Sequence, residues 1–279
     1  MPPAARAGAS PSRRKARDPS KPPGLGFSPR EPVTPASARK PSPSKALACL
    51  PATDGYLPCI TYVAAYHVVF IGALVLAHVS AYGKLNITQA LLAVFLTINA
   101  WICVCEIALL CYPKLIQEQF AAFSLRFGDH VLPTPIFLTE RVRVRDVLSL
   151  RYWAIMWSTY STLDIAYSDT HSFGYNIDVG NGVSMLLPTL ALSYGMTAQE
   201  AFLPARMLGM LGLIAYYQMF YGTVVYFFQY CNNKRYVGTP SWQVYGVVVV
   251  SNGIWLAGPA LGMWASSRLI LDGDFQVFR

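Results

Sequence analysis

Residues 88–112 read TQALLAVFLTINAWICVCEIALLCY, an apolar run interrupted by Asn99 and Glu106. About 20 mainly apolar residues suffice for a helix to cross the hydrocarbon core of a bilayer, so this stretch predicts a membrane span. Four further runs have the same character: 58–79, 173–196, 202–230 and 242–270. Tyr56, Tyr62, Tyr230 and Trp242 lie near their ends, as an interfacial aromatic belt would. The expected fold is therefore all-α, a multi-pass bundle of five transmembrane helices. The first helix occupies 56–87, the other four make a membrane domain over 88–270, and 271–279 is a short tail.

Charge supports that division. Residues 1–50 hold ten Lys/Arg against Asp18 and Glu31, which accounts for the whole net charge of +8. The remainder is balanced, and only 13% of the chain is charged while 54% is hydrophobic. The basic pI thus belongs to a tail and is not the footprint of a nucleic-acid-binding domain. That tail, over 1–55, is rich in Pro, Ser, Ala and Arg and has few large apolar residues, so it is expected to be disordered. Three roles stay open for it: a solvated arm that sets topology, an arm touching anionic lipid, and a cleaved targeting peptide.

The positive-inside rule places the tail, the 113–151 loop with Arg141, Arg143, Arg145 and Arg151, and the loop with Lys234 and Arg235 in the cytosol. The sequon at Asn86 falls on the opposite side, almost at the membrane surface, and is expected to be unused. None of the six cysteines forms a C-x-x-C pair and most lie in apolar runs, so neither a metal site nor a disulfide is expected from them.

Ionisable groups within a bilayer are costly, and by default they mark function. Glu106 lies two-thirds along the second run. Asp178 and Asn181, one turn apart, share a face of the third. Gln218 and Tyr221 do the same in the fourth, and Asn252 and Trp255 in the fifth. Four such stripes facing inward would line one cavity. Trp157-x2-Tyr160-x3-Asp164-x2-Tyr167 precedes the third run, with a spacing that predicts an interfacial helix capping that cavity. Single amides such as Gln218 or Asn252 also serve simply to bond neighbouring helices. His67 reads as a satisfied core histidine.

These fragments resemble the emopamil-binding protein family of sterol Δ8–Δ7 isomerases, and the EXPERA domain it shares with the sigma-2 receptor type of protein. The likeness rests on the Trp157–Tyr160–Asp164–Tyr167 motif, on Asp178 eleven residues later, on Tyr221-Gly222-x3-Tyr226-Phe227, and on Asn252-x2-Trp255-Leu256-x2-Pro259. The resemblance implies an EXPERA-like domain over 88–270 and movement of a sterol ring double bond without a cofactor. Protonation would give a tertiary carbocation, and a base would then remove a neighbouring proton.

By the same resemblance, Glu106, Asp178, Trp255 and Asn252 are the catalytic candidates, with Trp255 steadying the cation. Asn181, Gln218, Tyr221, Tyr160, Asp164 and Trp157 would bind substrate. The chain departs from the family at Ile102, where a histidine stands one turn before the glutamate, and at Asp178, where the family has Glu. The family's C-terminus is cytosolic, which gives five spans the topology opposite to that from charge. The partners implied are a sterol or sterol-like lipid and membrane lipid, with no nucleic acid; a homodimer is left open. The location implied is the endoplasmic reticulum. The alternative function is a non-catalytic EXPERA protein that binds a sterol or amphiphilic amine as sensor, chaperone or carrier. A channel or transporter subunit is disfavoured, because no inverted repeat is visible.

Overall fold

The computed structural model describes residues 55–127 and 136–279. The expected disordered tail lies outside the described residues apart from Gly55. Helices dominate, as expected. β1 (Leu57–Pro58) leads into α1 (Cys59–Tyr82), α2 (Ile87–Cys111) and α3 (Pro113–Phe127). After α4 (Ile136–Thr139), β2 (Arg141–Val142) and α5 (Val144–Val147) comes α6 (Ala154–Tyr160). The long helices resume with α7 (Phe173–Ala198), α8 (Ala205–Asn232) and α9 (Ser241–Asp272).

Four of these, α1, α2, α8 and α9, are long and apolar enough to cross a membrane. The chain thus has the character of an integral membrane protein. The third expected span, 173–196, forms as α7, with 26 residues, but is not among those four. Asn176, Asp178 and Asn181 dilute its apolar character. Sequence signals set several helix ends. Asn86 caps α2 by accepting the Gln89 N–H at 2.9 Å, and its amide donates to the Val277 carbonyl at 3.3 Å. Pro204 disfavours helix in the residue before it, so α8 starts at Ala205 instead of at 202.

α2, α7, α8 and α9 form a ring in which each packs on the next and α9 returns to α2. α1 lies outside this ring, against α2 and α7, with most of its surface uncovered. Val68, Val69, Phe70 and Leu76 on α1 are exposed, which suits a lipid-facing helix and not a soluble one.

Two close approaches depend on glycine. At Gly182 on α7, an added Cβ would fall 2.6 Å from Cβ of Glu106 and 3.0 Å from its backbone carbon. At Gly262 on α9, it would fall 2.5 Å from the ring of Tyr216 on α8. Gly182→Ala is therefore expected to force α2 and α7 apart and to cost about 1–3 kcal/mol. Thermal unfolding in detergent measures this; an unchanged midpoint would mean that the two helices are not in such tight contact.

Residues 271–279, read as a short tail, fold as a cap. Asp272 completes α9, Gly273 ends it with φ 74°, and Phe275 and Phe278 are buried among the helix ends. Arg279 Nε donates to Gln199 Oε1 and Nη2 to Glu200 Oε1, both at 3.0 Å. The cap closes the end of the bundle away from the 113–172 segment.

Candidate functional site

The Trp157-to-Tyr167 motif does not make one helix. α6 ends at Tyr160 and the chain turns on, Asp164 N–H still bonding the Tyr160 carbonyl at 3.0 Å, until the extended backbone of Asp164 (φ −139°, ψ 100°) breaks it. Asp164 then caps a separate 3₁₀ turn, Ile165–Ser168, accepting the Ala166 N–H at 3.0 Å. The break folds the motif back on itself, and its three aromatic side chains still meet. Tyr167 stacks against Trp157 at 4.9 Å and meets Tyr160 edge-on at 5.2 Å. The segment is buried against α2, not laid along a surface: Trp157 Nε1 donates to the Cys105 carbonyl at 2.6 Å.

The carboxylates come together. Gly182 presses α7 onto Glu106, and Asp178 lies one turn before Gly182, within electrostatic reach of Glu106. Tyr167 hydrogen-bonds Asp178. Glu106 is only 4% exposed, its bonded neighbour is the Cys103 thiol, and its Oε2 has no partner. A buried acceptor without a donor is costly, and in native proteins it calls for an explanation such as a catalytic role.

From Glu106 the polar path continues through Cys103 to Asn99, whose amide lies 3.7 Å from the thiol and donates to Thr189 Oγ1 at 2.7 Å. Asn99 Oδ1 accepts Trp255 Nε1 at 3.0 Å, which fixes the indole from its polar edge. Asn252, one turn earlier on α9, donates to the Tyr160 hydroxyl at 2.9 Å and so returns to the motif. Burial pushes the Tyr160 phenol up to about 12, which keeps it a neutral hydrogen-bonding group at physiological pH. The π-turn Val244–Val249 re-aims α9 just before Asn252, whose amide also bonds the Val248 carbonyl at 2.8 Å.

Polar groups on α2, α6, the 3₁₀ turn, α7 and α9 thus close into one circuit. Asp178, Tyr160, Asn252 and Trp255 keep part of their surface uncovered. Further along the same helices Met185, Leu192, Ala265 and Leu269 are sealed.

Other expected site residues are placed differently. Asp164 is fully buried and spends its carboxylate on three groups: Tyr226 OH at 3.0 Å, Ala166 N–H, and Arg235 Nη1 at 3.0 and 3.2 Å. It holds the α8–α9 loop against the motif and leaves little capacity for a ligand. Gln218 Nε2 donates to Asn181 Oδ1 at 3.1 Å and to Ser184 Oγ at 2.8 Å, so these amides stitch α7 to α8. Tyr221 is 56% exposed and stacks on Tyr217 away from the circuit. His67 bonds its own helix, Nδ1 to the Val63 carbonyl at 2.7 Å, but it is half-buried on the outer helix and not a core residue.

Asn99, Cys103, Tyr167, Tyr226 and Arg235 join the site although none is among its expected residues; Tyr167 and Tyr226 lie in the quoted motifs. Asn99 carried a signal, as a break in an apolar run. Arg235 carried none beyond its contribution to loop charge. Among the described residues no group of three or more His, Cys, Asp or Glu is placed to hold a metal ion. No family model matches the chain, and neither a curated protein nor a solved structure matches it.

Proposed function

We propose that the chain is a cofactor-free double-bond isomerase of sterol-like lipids, with α7 as its fifth span and the endoplasmic reticulum as its membrane. The observation that carries this reading is the paired carboxyls. Glu106 and Asp178, from different helices, lie within reach of each other amid aromatic rings, and Glu106 keeps an oxygen free.

A positional isomerisation consumes one proton and releases one. One carboxyl protonates the alkene, whose π electrons form the new C–H bond and leave a tertiary carbocation. The other removes a proton from a neighbouring carbon, whose C–H electrons become the new double bond. The face of Trp255, its indole N–H tethered by Asn99, suits stabilisation of the intervening cation. The resemblance to the EXPERA domain supports the same chemistry.

One observation favours a second reading, a non-catalytic binder of a sterol or amphiphilic amine. Ile102 replaces the family histidine, and the bonded neighbour of Glu106 is a thiol, a weak donor. Expression in yeast lacking its sterol C8 isomerase, with sterols read by mass spectrometry, separates the two. Conversion of accumulated Δ8-sterol to the Δ7 product is expected. Unconverted Δ8-sterol beside well-expressed protein would sink the catalytic reading and leave the binder.

A further inference from the structure

The β1–β2 pairing joins two distant parts of the chain at one end of the bundle. Leu57 pairs with Val142 and Pro58 with Arg141, and Gly55 N–H donates to the Arg141 carbonyl at 3.2 Å. The pairing brings the entrance of α1 alongside the Arg-rich segment that leads into α5, and α5 itself packs on α1.

The result is a surface on which bare apolar and basic side chains alternate. Tyr56 is 85% exposed and Leu148 80%, and Leu57 and Val144 are exposed with them. Arg141, Arg145 and Arg151 are exposed along the same segment. Among the described residues no hydrogen bond or ion pair engages the Arg141 or Arg151 side chain, and Arg145 has a loose pair with Asp146 at 3.8 Å. The other Asp146 carboxylate oxygen is spent on local backbone, accepting the Arg143 N–H at 3.1 Å. Burial pushes Glu140 up to about 7 against the pull of Arg126, so near neutral pH the acid at the head of the segment is partly discharged.

Water alone gives no reason to expose large apolar groups among unpaired cations. A bilayer surface does: arginines pair with lipid phosphates while neighbouring apolar groups enter the acyl boundary. The patch adjoins the start of α1, a helix long and apolar enough to span, so it lies where that helix meets the membrane surface. We infer that the face formed by Tyr56, Leu57 and the Arg141–Arg151 segment docks anionic phospholipid headgroups of the surrounding bilayer. This rests on the membrane character of the chain and is independent of the isomerase reading.

The test is native mass spectrometry of the full chain in detergent with equal amounts of phosphatidylserine and phosphatidylcholine. Preferential retention of phosphatidylserine is expected, at about five-fold per arginine. R141Q/R145Q/R151Q should lose most of that preference although the basic N-terminal arm remains. The control K84Q/R206Q/R268Q, at the opposite helix ends, should keep it, and so should E106Q. Equal retention of both lipids by the unaltered chain would overturn the proposal. So would equal losses in the two triple variants, or displacement of the lipid by inorganic phosphate at matched concentration.

Discussion

Arg235→Met is expected to lower the unfolding free energy by about 3–5 kcal/mol, the range for breaking a buried ion pair from one side. The variant strands the carboxylate of Asp164, which has no solvent exposure, with only the Tyr226 hydroxyl and the Ala166 N–H as donors. Asp164→Ala removes that carboxylate but leaves the Tyr226 hydroxyl without its acceptor and the 3₁₀ turn without its cap. Because both changes break one network, Asp164→Ala/Arg235→Met should cost less than the sum of the single variants, with a coupling of about 1–3 kcal/mol. Denaturant unfolding in micelles measures the cycle. Strict additivity would show that the pair is not a working clamp. The consequence reaches the site, because this clamp holds the turn that carries Tyr167 against Asp178.

Glu106→Gln and Asp178→Asn should each reduce double-bond isomerisation about 100-fold or more. Both changes keep shape and hydrogen-bonding capacity while removing the ability to give and take a proton. Gly182 can still pack on the altered residue 106, so the unfolding midpoint should move little. The double variant should be hardly worse than either single one, since an acid and a base serving the two proton transfers of one isomerisation act as a unit. Tyr167→Phe, which removes only the hydroxyl bonded to Asp178, should have a smaller effect. Turnover of Δ8-sterol in reconstituted membranes, alongside ligand binding, is the readout. Full activity in Glu106→Gln would remove the carboxyl pair from the mechanism. Unchanged binding with lost turnover would fix its role as chemical.

Much of the fold was legible in sequence because apolar runs of membrane length have few other uses. α2 forms within a residue of its expected bounds, and α9 starts at Ser241, one residue before its run. The motif around Trp157 was legible as a set of side chains that meet, but not as a helix. Its break falls at Asp164, which turns extended and caps a new turn through the Ala166 N–H, a choice that spacing alone does not reveal. How residues 271–279 sit is not legible for a different reason: Phe275 and Phe278 are too few to register as an apolar run, yet enough to plug the end of a bundle.

The sequence by itself determined that the chain is helical and of membrane character, and that Glu106 and Asp178 stand out from their apolar surroundings. Those facts follow from composition and period, which are local. Only the tertiary structure decided that the two carboxyls are neighbours, because helix rotation is set by where Gly182 lets α7 close on α2. It also decided that Asp164 belongs to Arg235 and that Tyr221 faces outward. A loop residue's partner lies across 71 positions of chain, and no pattern along the sequence encodes which distant group will satisfy a buried charge.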